Sequence, residues 1–183
     1  MKNAFNFKAS LIVAGLLALP LAHAATMTKD AYKSGKESIS SQFKAGKAAC
    51  DAMTANAKDI CVEEAKAKET VARAELEYGY TGKARDGTKV MEVKAKTAYA
   101  VAKEKCDDQA GNAKDVCRKE AKAVEVKALA DAKMVKQVGE ARTDAASAKH
   151  DAEYKVAAEK CDALSGDSKT SCMNAAKTKH GKM

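Results

Sequence analysis

Tryptophan is missing from this 183-residue chain, only 4% of its residues are aromatic, and its one proline is Pro20. Much of the 46% hydrophobic content is alanine, which forms helices well but offers little surface to bury. A broad apolar core is therefore excluded, while the lack of any proline after Pro20 leaves long helices uninterrupted. Histidine is almost as scarce: after His23 there are only His150 and His180, and neither stands in a metal or catalytic-triad pattern. With no glycine-rich phosphate loop and no nucleophile elbow either, a non-enzymatic protein without a cofactor is expected. Apolar runs are also few, and the only long one is Leu11 to Ala22. It falls short of the roughly 20 residues of a spanning helix.

That run has the flanks of a secretory signal. Lys2 and Lys8 precede it, and Ala22-His23-Ala24 supplies the small–any–small pattern of a cleavage site. Residues 1–24 read as a signal peptide cut before Ala25, which places the remainder in an oxidising compartment. What remains is rich in Ala, Lys, Glu, Asp and Val, with 32% charged residues in the whole chain, a composition of long helices or coiled coil. A chain with so little core needs staples, and six cysteines in an exported protein are the candidates.

The cysteines expose a threefold repeat. Cys50 and Cys61, Cys106 and Cys117, and Cys161 and Cys172 each enclose ten residues. Asp51, Asp107 and Asp162 follow the first cysteine of each pair, and Phe43, Tyr99 and Tyr154 stand seven residues before it. Gly111 and Gly166 suit a left-handed turn between helices, with Asn112 and Asp167 placed to cap the next helix. The first unit has Ala55 instead of glycine, so its turn is expected to be strained. Each cysteine lies about five residues from the turn, which sets the two thiols opposite one another in an antiparallel hairpin. Helix axes 8–10 Å apart with Cα rings of radius about 2.3 Å bring facing Cα atoms within disulfide reach. Of the 15 possible pairings, the local one closes each repeat on itself: Cys50–Cys61, Cys106–Cys117 and Cys161–Cys172. Each short loop so closed stabilises by about 3 kcal/mol.

The expected fold is therefore all-α: three tandem helical hairpins, each clipped by a local disulfide and joined by long, coiled-coil-like helices. After residues 1–24, the units run 25–80, 81–138 and 139–183. Gly79, Gly82 and Gly87 mark a linker, and Gly139 a kink or a tolerated residue within one continuous helix. Cys117, Ala121, Val124, Ala128, Val135 and Val138 share one helical face, as do Val90, Val93 and Val101.

Charge suggests partners. Lysine and arginine outnumber acids 33 to 25, and the excess is local. Between Lys83 and Lys105 seven basic residues face three acidic ones, and no acid follows Asp167. Lys83, Arg85, Lys89, Lys94 and Lys96, with Lys169, Lys177 and Lys179, are the candidate contacts for anionic envelope polymers or lipid headgroups. The same lysines also serve the solubility of an Ala-rich helix. Nucleic acid is disfavoured, because few aromatics are present to stack on bases. A thiol-based role is the second reading: reduced cysteines, aided by Met53, Met134 or Met173, would bind soft metal or cycle as a redox buffer. It lacks the close Cys-X-X-Cys spacing that tunes a reactive thiol, so structural bridges are preferred.

Cys106-Asp107-Asp108-Gln109-Ala110-Gly111-Asn112-Ala113-Lys114-Asp115-Val116-Cys117, followed by Glu120-Ala121-Lys122-Ala123, resembles small exported Ala/Lys-rich proteins of Gram-negative bacteria described as TolA-like cell-envelope proteins. The resemblance covers most of the chain after residue 24 and implies a periplasmic location. It carries over no catalytic or binding residue. The likeness to TolA itself is expected to extend only to the helical Ala/Lys/Glu-rich middle, and neither its membrane anchor nor its terminal globular domain is expected here. The expectation is a periplasmic structural or interaction module, bound to another envelope protein or an anionic surface, or acting in stress protection.

Overall fold

The computed structural model describes residues 27–182; the signal segment 1–24 and the cut before Ala25 lie outside them. Helix α1 (Lys29–Ala49) begins where the Thr28 hydroxyl accepts the Ala31 N–H at 3.1 Å, with Asp30 in its first turn and Lys47 in its last. That polarity opposes the helix dipole at both ends. A short 3-10 turn, Cys50–Ala52, leads into α2 (Ala55–Thr81), followed by α3 (Ala84–Cys106), α4 (Gly111–Asp162) and α5 (Gly166–Lys179). Among the described residues there is no strand, and no helix is long and apolar enough to cross a membrane.

Each helix packs only against its neighbours in the chain. The packing is antiparallel throughout: Tyr32 of α1 stacks on Tyr80 of α2, at the far end from the Cys50–Cys61 bridge. Between α2 and α3, Lys94 reaches Glu75 at 2.6 Å and Lys105 reaches Glu64 at 2.7 Å. The result is an open array of three hairpins: α1 with α2, α3 with the first half of α4, and the end of α4 with α5. Such an array holds together through nearest-neighbour interfaces alone.

All three local bridges are formed, with Cα–Cα distances of 5.6, 5.7 and 5.7 Å, and no described cysteine is free. Among the described residues, Cys50, Cys106 and Cys161 are the largest fully buried side chains, and the other buried apolar residues are only Ala65, Val90, Ala95, Ala132 and Ala176. The sulfur bridges occupy the place of a core. Phe43, Tyr99 and Tyr154 lie below the clips, half-buried. At the turns Gly111 and Gly166 adopt φ of +53° and +59°, and Ala55 is forced to +50°.

Several expectations need correction. Asn112 and Asp167 do not cap their helices; α4 and α5 start without a side-chain cap bond. The matching Asn56 instead reaches the next hairpin, donating to the Glu104 carbonyl at 3.0 Å and the Asp108 carboxylate at 2.7 Å. The linker between the first two hairpins shrinks to Gly82-Lys83, with Gly79 and Gly87 both inside helices. Gly87 is a packing residue: a Cβ there would stand 3.1 Å from the Tyr78 ring. No break occurs at residue 139, because α4 runs straight through Gly139 from the second hairpin into the third. One glycine costs a helix only about 1 kcal/mol relative to alanine, too little to interrupt 52 residues of helix formers. On α4 the buried positions before Cys161 are Glu125 and Ala132, flanked by half-buried Ala121 and Ala128, while Val124, Val135 and Val138 face solvent. Small side chains set that face because α3 approaches closely.

Candidate functional site

Three features compete for a functional role: the basic residues, the free stretch of α4 and a side-chain cluster at the base of the third hairpin. The basic candidates fall in two places. Lys83 lies in the linker just before α3, Arg85, Lys89, Lys94 and Lys96 lie on α3, and Lys169, Lys177 and Lys179 on α5. Helices α3 and α5 make no contact, so the fold does not join the two groups into one patch. Half of them are already engaged: Arg85 with Asp86 (3.3 Å), Lys89 with Glu92 (3.8 Å), Lys94 with Glu75 (2.6 Å) and Lys169 with Asp162 (2.8 Å). No described carboxylate lies within 4.0 Å of Lys83, Lys96, Lys177 or Lys179.

The free stretch is residues 133–150 of α4, every one of them exposed. At 1.5 Å per residue it spans about 27 Å. It begins where α3 ends its cover and stops where α5 begins to pack, so it joins two bridged ends through a single helix. Met134, Val135 and Val138 stand in solvent on it, Met134 at 57% exposure. Val135 and Val138 are three residues apart and Met134 and Val138 four, the spacing of one helical face.

At the base of the third hairpin, His150 and Glu153 of α4 meet His180 from the end of α5. One donor atom from each lies within 4.8 Å of the others. His180 Nδ1 is 3.8 Å from Glu153 Oε2, and its side chain is only 8% exposed. Neither histidine attracts notice in the linear sequence, yet a signal is present there. Glu153 lies eight residues before Cys161 and His180 eight after Cys172. In an antiparallel hairpin clipped by those cysteines, equal counts from the bridge land opposite one another.

Ion pairs shape the local electrostatics. A hydrogen bond from Lys105 holds the Glu64 carboxyl below its usual range. The Thr81 hydroxyl, donating at 2.5 Å, does the same for Asp86, aided by Arg85. Burial works to raise Asp107, but hydrogen bonds from Arg118 and Lys114 outweigh it and the carboxyl falls below its usual range. Lys182, 2.5 Å from Asp151, lowers that carboxyl too. On α4, Lys122 is raised by its hydrogen bond to the buried Glu125 and also lies over the Tyr99 ring, 5.0 Å from its centre.

The fold and these features define a disulfide-clipped helical array. Compared with known proteins, the chain matches no family model, no curated protein and no solved structure.

Proposed function

We propose that this chain is a non-enzymatic helical-repeat protein of the periplasm that acts as a structural or interaction module of the cell envelope. The observation that carries the reading is the free α4 span, residues 133–150. A bare helix between two clipped ends holds them a fixed distance apart and presents Met134, Val135 and Val138 to another envelope protein. The three local bridges fit an oxidising compartment outside the cytoplasm. Anionic polymers or lipid headgroups are secondary partners, reached through Lys83, Lys96, Lys177 and Lys179. With every described cysteine bridged, the thiol-based reading has no observation in its favour.

The test is site-specific photo-crosslinking in a Gram-negative periplasm. A crosslinker at Val135 or Val138 is expected to trap a discrete envelope protein, and one at Lys58 in the first hairpin is expected to trap none. Absence of adducts from α4, with salt-sensitive retention on anionic vesicles that Lys96→Ala and Lys177→Ala abolish, would replace the protein partner by an anionic surface.

A further inference from the structure

The cluster at the base of the third hairpin has the composition of a metal site. His150 and Glu153 are three residues apart on α4, so they project from one face of the helix. His180 caps the C-terminal end of α5, where its N–H donates to the Ala176 carbonyl at 3.1 Å. We propose that His150, Glu153 and His180 bind a divalent transition-metal ion, Zn2+ foremost, with water in the fourth position.

The donor set argues for that class of ion. Two imidazoles and one carboxylate suit zinc and its neighbours, and form the three-ligand set of an open tetrahedral site. Calcium and magnesium want oxygen donors throughout. Metal–ligand bonds of 2.0–2.2 Å place tetrahedral donor atoms about 3.3 Å apart. The present spread of up to 4.8 Å therefore closes by about 1.5 Å, through rotation of side chains alone. His150 and Glu153 are exposed, and the other oxygen of Glu153 is held only by Lys149, at 4.0 Å. His180 is the fixed donor, sharing a groove with Glu153, Val156, Ala157 and Ala176. Asp151, beside His150, is held by Lys182 and leaves the fourth position to solvent. An ion pair between Glu153 and a protonated His180 would account for two of the residues but not for the convergence of His150.

The Cys161–Cys172 bridge sets the register that brings α5's end onto His150 and Glu153, so site and clip belong to one design. Among the described residues of this hairpin only Cys161 and Ala176 are buried apolar residues. A metal at the opposite end from the bridge would staple the free end of α5 to α4, at the point where the exposed span ends.

The experiment is calorimetric titration of the untagged, disulfide-intact chain, stripped with a chelator, with Zn2+ alone and, in parallel, Ni2+ and Cu2+. A single site per chain is expected. His150→Ala, His180→Ala and Glu153→Gln should each weaken it by about 100-fold or more, beyond the 10–100-fold cost of removing an outer-shell partner. Circular dichroism should show unchanged helix content. Should the His180 variant lose helicity, imidazole resonances of the wild-type chain give the answer: Zn2+ should shift both His150 and His180 together. No saturable binding by any of the three ions, binding that survives these substitutions in folded protein, or a shift confined to one histidine would overturn the site.

Discussion

Ala55 is the only described residue other than glycine with positive φ. Its counterparts in the other hairpins are Gly111 and Gly166, and a Cβ at either of those would meet nothing within 4 Å. The difference between the three turns is therefore a matter of backbone alone. A left-handed conformation costs a residue with a Cβ about 1–2 kcal/mol, and glycine gives back part of that through its freer unfolded chain. Ala55→Gly should accordingly stabilise the first hairpin by up to about 1 kcal/mol. Gly111→Ala and Gly166→Ala should each destabilise by about the same amount. Urea melts with the bridges intact would measure all three, and a destabilised Ala55→Gly protein would show that the turn is not strained.

At the scale of the element, what can be read from the sequence depends on how local the determining contact is. The three bridges are legible because each closes over ten residues, within reach of a spacing argument. The stretch around Gly79 and Gly87 reads as a loop because glycine is a turn signal, whereas the reason for Gly87 is the ring of Tyr78 across the α2–α3 junction. No window of sequence shows that contact. The face of α4 misleads for a related reason: valines mark an apolar face only where a partner is present, and between residues 133 and 150 the described structure supplies none. The cluster of His150, Glu153 and His180 is hidden by the distance along the chain between its members, although the register from Cys161–Cys172 contains it. Gly139 sits at the middle of the exposed span, and a methyl group added there would meet nothing within 4 Å. It is the natural weak point of α4, and Gly139→Ala should strengthen the helix there by about 1 kcal/mol. Hydrogen exchange followed by mass spectrometry should show residues 133–150 as the fastest-exchanging helix in the wild-type chain and slower in the variant. Equal exchange in the two would mean that α4 opens elsewhere.

Across the whole molecule, stability is a chain of nearest-neighbour joints without a shared core to average them. Covalent bridges hold the turns, and ion pairs tie several of the joints between helices. Glu64–Lys105 ties α2 to α3, Asp86 accepts from Thr81 where those helices meet, Asp107 is clamped by Lys114 and Arg118 beside the second bridge, and Asp151–Lys182 ties the chain's end to α4. All four carboxyls are lowered relative to their ordinary values. A carboxyl with a depressed folded-state pKa adds stability that is fully present above its unfolded value, about 4, and is lost as pH falls through the folded one. Thermal melts should thus be flat from neutral pH down to about 5 and should then decline, the second hairpin losing most because three of the four groups lie in it or at its junction with α2. The bridges survive acid, so each hairpin should stay closed at its turn while its joints loosen. Because these groups lie near solvent, added salt should shrink the effect. Asp107→Asn isolates one joint: it should lower the melting temperature at neutral pH toward the acid value and flatten the decline below pH 5, without changing the third hairpin. A pH profile as steep as that of the wild type would show that the Asp107 clamp does not contribute to the acid response.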